Sequence, residues 1–375
     1  MSNTFVLEQK DLLTTLFFMQ SICTKKTAIA STSFILFQIV HKELILKSTD
    51  LEISLQYSCP LLESSIETMQ FLVPGKKIFD VVKELQGTIS CTLEENQLLL
   101  RAEKNINIAF HIKEAHEFPP LPERIENLMH VDAPFLVEML SKVSFLIPQN
   151  NATPALNALF LEISPRQFTL TTTDGHCLAQ VTSSQYVLDR EVKWLLPRRA
   201  IFELKRILEN SSEAMVFLGT CEKQFVVSGD SFNFFTKVYA DQFPAYSSIL
   251  NHDSFIPATF DRHDFIKTLR RSTCLLSGQF LATTFHFSPQ QLKVTMKNSD
   301  VGNLNESLSI SDFYADHLEM RFYSPYLLQG LQAFAEDQPL HCFLKSNSKP
   351  IIFKGETNTY RMLYLVMPVS SAHGA

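Results

Sequence analysis

Apolar pairs one helical turn apart recur at three places along the chain: Leu12, Leu13, Leu16 and Phe17; Phe135, Leu136, Met139 and Leu140; Phe265, Ile266 and Leu269. Each set predicts an amphipathic helix with one face buried. Between them lie alternating stretches, such as Leu51, Ile53, Leu55, Tyr57 and Ile106, Ile108, Phe110, Ile112. These read as strands with one buried face. A second kind of helix follows Pro74 and Pro197, each placed where a first helical turn tolerates proline. The pattern is helix, strands, helix, strands, which predicts an α+β architecture of antiparallel sheets with helices packed on one face. A doubly wound parallel sheet would need a helix after nearly every strand.

The pattern is periodic. Residues 74–85 align without gaps on 197–208, eight of twelve positions being identical or conservative. Segments running into an aspartate end at Asp50, Asp174 and Asp300, and Phe118-Pro119 is echoed by Phe243-Pro244 and by Met367-Pro368 near the chain end. Three units of about 125 residues fill the chain. Breaks near Pro119 to Glu126 and Leu250 to Phe255 place the boundaries at 1–124, 125–251 and 252–375.

Composition narrows the function. Ten glycines occur, and the closest two, Gly219 and Gly229, are ten positions apart, so no glycine-rich phosphate loop exists. Seven cysteines, without a C-x-x-C pair, argue for a reducing compartment and against a disulfide framework or zinc-ligand spacing. Neither a signal-peptide pattern nor a long apolar run is present, and a cytoplasmic location is expected. No cofactor or metal is implied.

A formal charge of −6 argues against a chain coated in nucleic acid, but net charge says nothing of distribution. His263, Lys267, Arg270 and Arg271 share one helix face; Arg198, Arg199, Lys205 and Arg206 share another. The first unit supplies Lys76, Lys77 and Lys83, with Lys25 and Lys26 after its opening helix. Any one cluster reads most simply as a solvated helix face. If equivalent helices face one way, their recurrence makes an extended basic lining suited to phosphate and indifferent to base identity.

Several motifs carry a likeness. Thr172-Thr173-Asp174-Gly175-His176-Cys177-Leu178, Phe234-Phe235-Thr236-Lys237-Val238 leading to Asp241-Gln242-Phe243-Pro244-Ala245-Tyr246, Ser48-Thr49-Asp50-Leu51-Glu52 and Tyr364-Leu365-Val366-Met367-Pro368 resemble the bacterial DNA polymerase III beta subunits, the replicative sliding clamps, over essentially the whole chain. The resemblance implies three clamp domains, with antiparallel sheets outside and helices lining the inside of a two-chain ring around duplex DNA. It implies a non-enzymatic processivity factor whose partners are DNA, the polymerase catalytic subunit, the clamp loader and other clamp-motif proteins. The DNA-facing set would be the lysines and arginines above, except His263, together with Gln149 and Asn150, which stand where some family members carry aromatic residues. A peptide groove would be lined by Leu156, Thr173, Gly175, His176, Leu178, Pro244, Ile249, Leu365, Val366, Met367 and Pro368, with Pro350 on its wall. Cys177 and Ser370 replace basic residues common in the family, removing positive charge from the rim. An altered motif preference is therefore expected.

Two other readings compete. A hydrolase using Asp174, His176 and Cys177 fails because adjacent strand residues point to opposite faces. A diverged clamp, or a monomeric interaction module without a DNA-encircling role, remains as the alternative. Asp174-Gly175 is first of all a turn signal, and aspartates at comparable sites in the other units favour a structural role.

Overall fold

The computed structural model describes residues 3–103, 105–122, 124–277, 280–336 and 338–369. The threefold pattern becomes three copies of one element order. The first copy runs β1 (Asn3–Glu8), α1 (Gln9–Cys23), β2 (Phe34–Val40), β3 (Glu43–Thr49), β4 (Ile53–Pro60), the short β5 (Glu63–Ser64), β6 (Thr68–Pro74), α2 (Gly75–Val82), β7 (Thr88–Glu94), β8 (Gln97–Ala102), β9 (Ile106–His111) and the short β10 (Lys113–Glu114). The second runs β11 (Glu126–Asp132), α3 (Ala133–Val143), β12 (Ala158–Ile163), β13 (Phe168–Thr173), β14 (Cys177–Ser183), β15 (Val192–Pro197), α4 (Arg198–Asn210), β16 (Met215–Cys221), β17 (Gln224–Ser228) and β18 (Phe232–Lys237). The third runs β19 (Ile256–Phe260), α5 (Arg262–Cys274), β20 (Thr283–Ser288), β21 (Gln291–Asn298), β22 (Gly302–Ser311), β23 (Leu318–Phe322), α6 (Ser324–Leu331), β24 (Leu340–Leu344), β25 (Ile351–Glu356) and β26 (Arg361–Val366).

Each copy thus opens on a strand that the sequence pattern did not predict. Pro74 and Pro197 end strands immediately before their helices instead of entering the first turn. Leu51 lies in the tight turn ahead of β4, at a backbone φ of 75°. The helix α6 was not foreseen: its start, Ser324-Pro325-Tyr326, lacks the proline–basic signature of α2 and α4. The buried stripe of α1 is also rotated from the expected one. It comprises Leu12, Leu16, Phe18, Met19 and Ile22, while Phe17 is exposed and holds the Arg206 guanidinium 4.9 Å above its ring.

All strand pairing is antiparallel, and the sheets run across the copies. The chain forms two compact units, Met1–Leu136 with Phe202–Val238, and Val137–Ile201 with Tyr239–Ala375. The first holds a five-stranded sheet, β5-β1-β7-β8-β9, and a nine-stranded one, β10-β6-β2-β3-β4-β18-β17-β16-β11. The join between copies is β4 on β18, with Leu55 opposite Phe234. The second holds a twelve-stranded sheet, β15-β12-β13-β14-β26-β25-β24-β19-β22-β21-β20-β23. Its join is β14 on β26, with Leu178 opposite Leu365. In both units helices pack against the sheets through apolar faces, α5 contributing Phe265, Ile266 and Leu269 to the core. Among the described residues no helix is long and apolar enough to cross a membrane.

Candidate DNA-facing helices and peptide-binding surface

The turn after each repeated aspartate shows what that residue does. Asp50 Oδ1 accepts hydrogen bonds from the Glu52 and Ile53 amides at 2.9 and 2.8 Å; Asp174 Oδ1 accepts from the His176 and Cys177 amides at 2.8 and 2.7 Å. Thr49 and Thr173 brace the same turns, each hydroxyl accepting from the amide two residues on. In the third copy the equivalent position is Asn298, whose Oδ1 accepts from the Asp300 amide at 3.0 Å. Asp300 itself is exposed, so it is not the counterpart of Asp50 and Asp174 that its spacing suggested. The carboxylates are turn braces. Burial and the neighbouring Asp174 charge push the Cys177 thiol up, against a smaller opposing effect of the Tyr364 hydroxyl. A buried thiol of that kind is inert as a nucleophile.

The basic residues separate into three groups. Lys26, Lys76, Lys77, Lys83, Lys267 and Arg270 are exposed and make no ion pair with any described residue. Four other nominated cations are already engaged. Lys25 is bound by Glu52 and lies 3.8 Å from the buried Asp50; Lys205 lies 3.4 Å from Glu209. Arg206 pairs with Glu203 at 2.7 Å and donates to the Phe18 carbonyl and the Ser21 hydroxyl, and Arg271 is held by both oxygens of Glu306. That pairing raises the pKa of Arg271 and lowers that of Glu306. Charge along a helix face does not disclose which carboxylate the fold brings across to it. Arg198 and Arg199 are half-buried. Gln149 and Asn150 are exposed in a loop whose next residue, Asn151, is pinned in both directions by Asn157.

The nominated groove residues converge through strand register. Thr173 pairs with Leu178, Leu178 with Leu365, and Leu365 with Ile352. The ladder continues one rung past β26, where the Met367 amide donates to the His176 carbonyl at 2.9 Å. Leu178, Leu365 and Ile352 form a cluster covered by Tyr246, Leu250, Phe255, Phe343 and Leu363. Beside it Ala155, next to Leu156, packs with Phe243, next to Pro244. The accessible members are Gly175, His176, Pro244, Ile249 and Met367, with Pro368 half-exposed. Val366 is fully buried on the opposite face from Leu365, and Pro350 is buried as well, so neither lines an accessible surface. Leu156, Thr173, Leu178 and Leu365 form the floor of the surface and not its walls. Ser370 lies outside the described residues.

Three groups next to this surface bring in residues that were not expected to line it. The His176 ring stacks on Tyr326 of α6 at 5.7 Å; Tyr323 meets Tyr326 edge-on, and the exposed Phe280 stacks on Tyr323 at 4.5 Å. The segment bearing Pro244 and Ile249 is tied to the sheet by Tyr246, whose hydroxyl donates to Glu162 at 2.6 Å and accepts from Thr171 and Gln180. A cavity of about 430 Å³ is walled by Met367, Pro368, Val369, Glu319, Arg321, Asn347 and Ser348. The one local mark near the aromatic row is Pro325 at the head of α6, which echoes Pro74 and Pro197 before α2 and α4.

Similarity to known proteins agrees with this geometry. Residues 3–122, 130–245 and 248–370 match the N-terminal, central and C-terminal domains of the DNA polymerase III beta subunit. The chain is 25% identical over 369 residues to the beta sliding clamp of Pseudomonas putida, covering 97% of this chain and 99% of that one. It is 23% identical to that of Chlamydia pneumoniae, covering 97% and 98%. Its fold superposes on a Pseudomonas aeruginosa sliding clamp with a TM-score of 0.90 at 22% identity, covering 99% of this chain and all of the other. A Bacillus subtilis clamp gives 0.89 at 17%, with 99% and 100% covered. With three matched domains in order along nearly the whole length, the chain belongs to the DNA polymerase III beta-subunit family, the beta sliding clamps, which are non-catalytic processivity factors of DNA replication.

Proposed function

We propose that two copies of this chain close head to tail into a ring around duplex DNA. The observation that carries the reading is a rule of strand pairing inside the chain. The third long strand of one copy's four-strand group pairs with the last long strand of the next copy's other group: β4 with β18, then β14 with β26. Applied once more, the rule pairs β22 with β9. Among the described residues β9 is a sheet edge, and β22 pairs along its length with β21 alone, meeting β19 only at Ile310 and Ser311. Two unfilled edges of matching role favour a second copy as the occupant. The domain boundaries proposed are those at 124 and 251.

On this reading the unpaired Lys76, Lys77, Lys83, Lys267 and Arg270, with Lys26, face DNA and hold it loosely through phosphate. Gln149 and Asn150 add neutral contacts. The surface at His176, Pro244, Ile249 and Met367 takes a short apolar peptide segment, from the polymerase catalytic subunit, the clamp loader or other clamp-binding proteins, and the protein works in the cytoplasm. The neutral Cys177 in place of arginine leaves that surface with less attraction for acidic peptides.

The test is topological. With a clamp loader present, the protein should be retained on nicked circular DNA and lost when the circle is cut; equal retention on both forms would replace encirclement by ordinary electrostatic binding. In parallel, Met367→Asp should abolish binding of a polymerase-derived peptide while leaving DNA retention intact.

A further inference from the structure

We propose that His286, His317 and Glu319 form a binding site for a divalent transition-metal ion of the zinc class, on the solvent face of the sheet at its β20–β23 end. His286 on β20 and Glu319 on β23 are direct cross-strand partners, and His317 precedes Glu319 by two residues, so all three side chains rise from one sheet face. Their nitrogen and oxygen ligand atoms all lie within 4.8 Å of one another. His286 Nδ1 stands 3.3 Å from Glu319 Oε2. That is long for a charge-assisted hydrogen bond but close to the edge of a tetrahedron with metal–ligand bonds of about 2.0–2.1 Å.

The surroundings orient the ligands. His286 Nε2 lies 3.3 Å from the Thr295 hydroxyl on β21, a partner that can accept the Nε2 proton when Nδ1 turns its lone pair to a metal beside Glu319. The rings of His286 and His317 lie nearly parallel, 6.0 Å apart and 21° between planes. Two imidazoles and one carboxylate match zinc better than magnesium or calcium, which prefer all-oxygen shells. Three protein ligands on an open face leave the fourth position to water. Working against the site are Lys293, opposite His286 on its other flank, and Arg321, two residues after Glu319 on the same face. Glu319 and Arg321 also wall the cavity that contains Met367 and Pro368, which places the metal beside the proposed peptide surface.

The experiment is a zinc titration of the full-length chain against a chromophoric chelator, in a Cys274→Ser background because Cys274 is the exposed thiol. One site per chain is expected. His317→Ala, His286→Ala and Glu319→Gln should each weaken it about tenfold or more, Lys293→Ala should tighten it, and millimolar magnesium should not displace zinc. His263→Ala, in the exposed Asp261–His263–Asp264 group, should leave it unchanged. Melting curves in chelator establish that each variant is folded. Affinities of His317→Ala and Glu319→Gln equal to the parent's, or an anomalous zinc peak on other residues in a soaked crystal, would overturn the site.

Discussion

At the scale of single residues, the partner of a charge decides more than its position on a helix. Arg270 and Arg271 are neighbours on α5, yet Arg271 is occupied by Glu306 and Arg270 is not. Replacing Arg270 or Lys267 with glutamine should therefore weaken DNA association and flatten its salt dependence, each by roughly one phosphate contact. Arg271→Gln should change it far less, and instead remove the pair that lowers the Glu306 pKa. Binding measured at several salt concentrations separates the cases; equal slopes for all three variants would refute the division. The same reasoning applies to buried thiols. Burial pushes Cys23 and Cys59 up to about 12, so each binds a proton more tightly in the folded than in the unfolded chain. Their stabilisation is fully present below the ordinary thiol value and is lost as pH rises toward 12. Cys23→Ala and Cys59→Ala should accordingly flatten the fall in stability above about pH 9, read from denaturant midpoints across that range. Gly175, at φ 95° with open space around its Cα, tolerates a Cβ sterically but not conformationally. Gly175→Ala should cost about 1 kcal/mol.

At the scale of elements, the surface beside Met367 depends on how α6 sits behind β26. Gly330 of α6 lies so close to the strand that an added Cβ would meet the Tyr364 ring at 2.0 Å, and the Tyr364 hydroxyl donates to the Tyr326 carbonyl at 2.6 Å. Gly330→Ala should destabilise the second unit by about 1–3 kcal/mol and, by shifting Tyr326 beneath His176, weaken peptide binding. Unchanged melting and affinity would mean that α6 does not position the surface. This dependence was not legible in the sequence, although much else was. Periodicity located α1, α3 and α5 because each buries a face at helical spacing, and proline followed by cations located α2 and α4. The α6 helix has neither signal: it carries no charged residue and is short. Strand register, which brings Leu178, Leu365 and Ile352 together, is set by pairings distant in sequence and leaves no local mark. Likeness to a family supplied Leu178 and Leu365 as groove positions but not Ile352, and could not say that Val366 and Pro350 are buried.

For the molecule as a whole, the sequence repeats and the compact units differ, and the difference has a physical cause. Each copy ends its sheets on unsatisfied edges, so a copy alone would expose backbone donors and acceptors. The second copy satisfies both neighbours by dividing its strands between them: β11 and β16–β18 join the first copy, β12–β15 the third. Among the described residues β9 remains a sheet edge and β22 meets β19 at Ile310 and Ser311 alone, and on the proposed reading these two strands take the partner chain. Half-buried Ile106 and Ile108 alternate along β9 with exposed Asn107 and Ala109, and half-buried Leu304 and Leu308 alternate along β22 with exposed Asn303 and Ser307. Ala109→Glu places a charge on the β9 edge at a position the folded monomer already exposes. Light scattering should then shift from about twice 42.8 kDa toward 42.8 kDa, and retention on circular DNA should disappear, with circular dichroism and peptide binding unchanged. An Ala109→Glu protein that stays at the double mass would show that β9 is not the edge on which the second chain closes.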